Sequence, residues 1–119
     1  MARLKIDGSD LVVKLSLLEK IGAFHGNIRV PLSAVRAADA DPEPWSALRG
    51  SRAPGTGLPG VIALGVRRYP GGGHDFAALR GQGPAVRVDL DDQAKFGRLV
   101  ISVRNTETTV AAIHAATGA

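Results

Sequence analysis

Hydrophobic and polar positions alternate in short bursts along this chain, and most of the bursts have the period of a strand. Arg3 to Asp7 sets Leu4 and Ile6 between charged neighbours, and Gly8-Ser9 supplies a turn. In the next run Leu11, Val13, Leu15 and Leu17 share one face, with Lys14 and Ser16 on the other, which predicts a hairpin with one wet face. The period is lost from Leu17 to Phe24, where the pattern predicts a helical turn that Gly22 ends and that sets Phe24 against the core. Asn27 to Val30 reads as a short strand that Pro31 stops or pushes to an edge, because proline has no N–H for the ladder. Val35 to Ala40 reads as a weaker strand. After the Pro42-Glu43-Pro44 break, Trp45 to Leu48 reads as a short helix begun by its proline.

From Arg49 to Gly60 there are four glycines and two prolines, a composition that predicts a loop. Val61 to Arg68 and Asp75 to Arg80 form a second hairpin about the Pro70 to Gly73 turn. Ala85 to Leu90 alternates cleanly, with Val86, Val88 and Leu90 inward and Arg87 and Asp89 outward. A last strand, Leu99 to Val103, precedes a helix over about 106–116, with Asn105 or Thr106 as N-cap and Glu107 in the first turn. Val110 and Ile113 are its inward residues. The expected architecture is mainly β: about seven strands within 2–103, forming a curved sheet or barrel capped by one C-terminal α-helix. At 119 residues it is a single domain, 1–119, large enough to bury a core without disulfides or metal.

Composition narrows the chemistry. The absence of cysteine excludes thiolate catalysis, iron-sulfur clusters and cysteine-ligated zinc. The first twenty residues hold no uninterrupted apolar core, and no later run approaches the length of a membrane span, so the expectation is a soluble, cytoplasmic protein. The net charge is +4, and eleven of the fifteen basic residues are arginine, a bias that a GC-rich coding sequence produces. Six arginines and one acid, Asp75, lie between Arg49 and Arg87. An anionic partner would be steered to the middle of the chain.

Strands in consecutive hairpins closed by a terminal helix resemble the pleckstrin-homology-like layout. The stretches Ile28-Arg29-Val30-Pro31-Leu32-Ser33-Ala34-Val35 and Arg52-Ala53-Pro54-Gly55-Thr56-Gly57-Leu58-Pro59-Gly60 are similar to small bacterial, mainly actinobacterial, proteins of that fold. The resemblance implies binding of lipid headgroups, peptides or further copies of the chain rather than catalysis. Phosphoinositide-binding members of the eukaryotic family use basic residues around the first hairpin turn. Here that turn is Asp7-Gly8-Ser9-Asp10, whose two acids oppose a phosphorylated headgroup.

Gly55-Thr56-Gly57-Leu58-Pro59-Gly60 has G-x-G-x-x-G spacing, but the dinucleotide fingerprint needs a strand before it and a helix after it, and Pro59 removes a backbone donor. No dinucleotide or other cofactor is therefore expected. Arg49 and Arg52 beside the amides of Gly55 and Gly57, with Arg67 and Arg68 on the following hairpin, form the candidate ligand or partner site, for carboxylate or phosphate groups. His25, His74 and His114 have no metal-ligand spacing, Asp89, Asp91 and Asp92 lack the pattern of a calcium loop, and His114 is expected to face solvent. No metal site is expected. Trp45 is a core plug or the anchor of a binding face, and the plug is the preferred reading. The arginines are not interleaved with exposed aromatics, which disfavours nucleic acid.

The resulting expectation is a non-enzymatic module that binds a protein segment or itself through the Arg49 to Gly60 loop, the Arg67-Arg68 hairpin or an exposed strand edge. Two alternatives stand beside it. One is attachment to anionic lipid through Arg67, Arg68, Arg80 and Arg87; the other is a small enzyme centred on His74 and Asp75.

Overall fold

The computed structural model describes residues 1–23, 25–69 and 73–118, with the backbone alone for 51–54. Its strands are β1 (Arg3–Asp7), β2 (Asp10–Lys14), β3 (Ile28–Pro31), β4 (Val35–Asp41), β5 (Ser51–Leu58), β6 (Ile62–Tyr69), β7 (Gly73–Arg80), β8 (Ala85–Leu90) and β9 (Arg98–Ile101). Two α-helices, α1 (Leu17–Ala23) and α2 (Thr106–Thr117), complete it with short 3-10 turns at Leu32–Ala34 and Pro44–Ala47. The chain is mainly β, as expected, but its strands form two sheets rather than a closed barrel. One has the order β1-β2-β3, the other β4-β8-β9-β7-β6-β5, and there are nine strands among the described residues rather than about seven.

Three features depart from a run of consecutive hairpins. β9 inserts between β7 and β8 and pairs in parallel with β7, Phe76 opposite Leu99, so the terminal strand is central. The stretch read as a loop contains β5, which pairs with β6 from Ser51↔Arg68 to Leu58↔Ile62. Its glycines serve the pairing: a Cβ on Gly55, at φ +151°, would lie 2.1 Å from the Leu64 carbonyl oxygen, where the register shifts. The third departure is Leu17, which leaves the β2 face, begins α1 and is 74% exposed.

Alternation explains the core. Val86, Val88, Leu99, Ile101, Phe76 and Ala78 point to one face of the large sheet and pack against Leu11, Val13, Ile28 and Val30 of the small one. Arg87 and Asp89 of β8 stay on the other face, as their alternation requires. The terminal helix is capped by Asn105, whose Oδ1 accepts from Thr108 N at 3.0 Å, and it buries Ile113 while leaving Val110 half-exposed. Burial of Ile113 contributes about 2 to 3 kcal/mol. His114 is exposed but not idle, because its Nε2 donates to the Ala38 carbonyl of the edge strand β4.

α1 is set by a reciprocal cap. Ser16 Oγ accepts from Glu19 N at 3.2 Å and Glu19 Oε1 accepts from Ser16 N at 2.8 Å. Gly22 lies inside this helix rather than ending it. A Cβ there would stand 2.8 Å from Leu64 Cδ1, so the glycine lets α1 sit close on β5 and β6. Phe24 lies outside the described residues, as does the Pro70 to Gly72 part of the second hairpin turn. Glu19 is fully buried, with Arg80 Nε 3.5 Å from its Oε2 and no hydrogen bond between them. No described helix is long and apolar enough to cross a membrane.

Two predictions follow from these contacts. Glu19→Ala removes both a cap and the charge facing Arg80, and should destabilise the fold by about 2 to 3 kcal/mol in urea unfolding; Glu19→Gln, which keeps an acceptor for Ser16, should lose less. At the first turn, Arg29 bridges Asp7 at 2.8 Å and Asp10 at 2.9 Å, and its hydrogen bond to Asp7, then its charge, hold the Asp7 carboxyl below the ordinary value of 3.8. A depressed carboxyl favours the folded state above that value and loses the contribution as pH falls through the folded pKa. The Asp7 carboxyl carbon should therefore titrate below 3.8 by NMR and move up towards it in Arg29→Ala.

Candidate functional site

The outer face of the six-stranded sheet, turned away from the main core, carries a row of alternating charge. Register places Arg67 opposite Asp75, Asp75 opposite Arg98, and Arg98 opposite Asp89, across β6, β7, β9 and β8. Beside this row the same face is made of Ala63, Leu79, Ala85 and Val100. The small side chains leave room for a covering segment, and residues 44–50 fill it: Ala47 is buried there, with Trp45 and Leu48 packed alongside. This second cluster is separate from the main core.

Arginines tie that covering segment to the sheet. Arg49 Nε and Nη2 each donate to Asp75 at 2.7 Å, a two-pronged pair in which Asp75 is 2% exposed. Its guanidinium also lies over the Tyr69 ring, 4.4 Å from the centroid. Arg98 Nη1 donates to the Ala47 carbonyl at 2.8 Å while its Nε holds Asp89 at 2.8 Å. Arg67 Nη2 donates to the Gly50 carbonyl at 2.8 Å, and its Nε to that of Arg49 at 3.2 Å. Its hydrogen bonds to Asp75 and, after the opposing effect of burial, the Asp75 charge raise Arg49 further above the ordinary arginine range, so it is charged at any working pH.

The residues expected to form a site are thereby separated. Arg49 and Arg67 meet, but around the backbone of the covering segment. Arg68, the strand neighbour of Arg67, is exposed, and Arg52 lies opposite Arg67 in β5 with its side chain outside the described set. Gly55 and Gly57 sit in β5, facing Gly65 and Ala63. No helix follows the G-x-G-x-x-G string; a turn and β6 do. The arginines of the proposed lipid-facing surface are dispersed, because Arg80 turns in towards Glu19 while Arg87 reaches Asp89 at 3.3 Å. His74 and Asp75 are successive residues of an extended strand and point to opposite faces. His25 packs against Phe76 and Phe96, with ring centroids 5.5 and 6.0 Å away. Among the described residues no group of three or more metal-ligating side chains comes together.

What the residue pattern did not reveal is the edge of β5. This strand ends the sheet order, and among the described residues no strand pairs with its far side. On the inner side, Thr56 Oγ1 donates to Gly22 O at 2.6 Å, which sets α1 beside the strand. Leu58, two residues on, shares that face and is 56% exposed; Leu18 and Ile21 of α1 are 72% and 63% exposed. On the outer side a hollow of about 290 Å³ is lined by Trp45, Leu48, Gly57, Ala63 and Arg67, and it wraps the end of the strand, where Leu58, Pro59 and Ile62 line it too. Trp45 is half-buried and donates Nε1 to Gly81 O at 2.8 Å, so it is partly a plug and partly a wall of this hollow. The helical turn expected from Leu17 is α1, and the Ser16-Leu17-Leu18-Glu19 capping box that starts it leaves both leucines outside.

No protein family, curated protein or solved structure matches the chain.

The covering segment depends on Asp75. Asp75→Ala leaves the Arg49 guanidinium without its partner and should cost about 2 to 3 kcal/mol, below the fully buried case because Arg49 is partly solvated. Trp45 fluorescence should shift to the red as the segment loosens. With Asp75 intact, Arg49→Lys should retain little of the contribution, since an ammonium cannot make the two-pronged contact.

Proposed function

We propose that the protein is a non-enzymatic binding module that takes an extended, acidic and apolar segment of a partner protein as an added strand on β5. The β5 edge, unpaired among the described residues and flanked by the exposed aliphatic side chains of α1 on one face and a hollow on the other, carries this reading. Main-chain hydrogen bonds to an edge supply affinity, and pockets on alternate faces supply specificity. A segment laid along β5 would place successive side chains alternately towards Leu18 and Ile21 and towards the Trp45 hollow, with Leu58 at the strand end lining the hollow as well.

Charge selects the occupant. With Arg49 committed to Asp75, Arg68 is exposed on β6 and Arg67 lines the hollow, and neither β5 nor β6 contains an Asp or Glu. A second β5 would bring the same sign of charge, whereas an acidic segment would find complementary charge along the hairpin. Two sheets and a terminal helix are also what a pleckstrin-homology-like domain would offer as a binding scaffold, although the parallel β7-β9 pair is not part of the layout that suggested it. The dispersal of Arg67, Arg68, Arg80 and Arg87 gives the lipid reading less support.

Selection from a library of short random peptides tests the proposal. Enriched binders should alternate apolar with other residues and carry Asp or Glu, and in NMR they should shift the methyls of Leu18, Ile21 and Leu58. Leu58→Asp should weaken them about tenfold or more without unfolding the protein. Binders without alternation, or shifts centred elsewhere, would overturn the reading. So would a concentration-dependent dimer in sedimentation that Leu58→Asp abolishes while no peptide is enriched, which would make the occupant a second copy.

A further inference from the structure

We infer that a second hollow, on the opposite side of the covering segment from the Trp45 pocket, is a binding site for a small soluble phosphate monoester. It measures about 440 Å³, within the range of small-molecule sites, and Arg36, Arg49, Tyr69, Asp89, Gly97 and Arg98 line it. Three guanidinium groups from β4, the covering segment and β9 thus converge on one space, although they are 13 and 49 residues apart in sequence.

Two of the three are held rigidly from behind. Arg49 is fixed by both prongs on Asp75 and by the Tyr69 ring, and Arg98 by Asp89 and the Ala47 carbonyl. Each is left with one terminal nitrogen, Nη1 of Arg49 and Nη2 of Arg98, that has no hydrogen bond among the described contacts. Arginines oriented before the ligand arrives lose little side-chain freedom on binding, which favours tight recognition of phosphate oxygens. The third is delivered by a backbone irregularity. The β4-β8 register shifts between Val35 and Ala37, so Arg36 has no cross-strand partner, and its exposed side chain makes no hydrogen bond or ion pair among those described. An edge bulge of this sort re-aims a side chain.

The balance of charge in the hollow selects the ligand. Asp75 is committed to Arg49, and Asp89 to Arg98 and Arg87. Arg36 remains as uncompensated positive charge, and the fixed donors add to it. Asp89 on the wall repels a second anionic group but accepts from a hydroxyl, so a hydroxylated monoester fits better than a polyanion. The site is independent of the β5 edge and does not rest on the peptide-binding reading.

The decisive experiment follows the arginine Nε–Hε resonances during titration with inorganic phosphate and with glycerol 3-phosphate, against sodium chloride at matched ionic strength. Saturable shifts at Arg36, Arg49 and Arg98, stronger for glycerol 3-phosphate and absent with chloride, are expected. Arg36→Ala, which breaks no described contact and should leave the fold intact, should weaken binding about tenfold or more, as loss of a charge-assisted hydrogen bond implies. Absence of saturation at millimolar phosphate, or binding unchanged in Arg36→Ala, would overturn the inference. Retention on phosphatidylglycerol vesicles with no response to either soluble phosphate would overturn it too, in favour of a membrane surface.

Discussion

The buried carboxylate of Asp75 constrains the outer half of this molecule. It stands in mid-sheet on β7 with arginines on both neighbouring strands in register, yet the guanidinium that grips it comes from outside the sheet. A charge this deep is tolerated only with a partner of good geometry, so residues 44–50 must cross the sheet where Arg49 reaches it. Their carbonyls then become acceptors for Arg67 and Arg98. The pair stabilises less by its own energy than by fixing one placement of the segment, and that placement divides the outer face. On one side lies an apolar hollow walled by Trp45, on the other a polar one walled by Arg49 itself.

This arrangement changes the meaning of the chain's basic character. Of the arginines that crowd the middle of the sequence, Arg49 is turned inward onto Asp75, Arg67 onto the covering segment, Arg80 onto Glu19 and Arg87 onto Asp89. Net charge alone would have spread a cationic surface over the molecule. These contacts leave Arg36 beside one hollow and Arg68 on the edge hairpin exposed. Steering of an anionic partner depends on where charge remains uncompensated, not on the count of basic residues.

Legibility followed locality. The first hairpin, the Val61 to Arg80 hairpin, the Ala85 to Leu90 alternation and the terminal helix with its Asn105 cap were readable because each is encoded within a few residues. β5 was not, because Pro54, Gly55 and Gly57 have the composition of a loop; only pairing with β6 makes them a strand. The parallel β7-β9 contact and the Arg49–Asp75 pair join residues more than twenty positions apart, and no local pattern announces them. Arg49 and Arg67 are engaged within the molecule and Arg68 is exposed, and the cleft that gathers arginines adds Arg36 and Arg98 to Arg49, two residues that composition gave no reason to single out.

The two edges of the large sheet are treated differently, and the difference bears on what β5 can accept. An unpaired strand edge is a general hazard, since any extended chain can add to it. At β4 the hazard is reduced by α2, which packs against the strand and whose His114 takes up the Ala38 carbonyl. At β5 the edge is left open but broken up. Pro54 has no N–H to offer, the register shifts between Arg52 and Gly55, and Gly55 holds a φ that residues with a Cβ rarely adopt. The longest stretch in regular register runs from Gly55 to Leu58. Such an edge is too short to template open-ended stacking of identical strands. It is long enough for one short segment whose side chains match the aliphatic lip of α1 and the hollow beside Trp45, so selectivity has to come from those two surfaces rather than from the backbone.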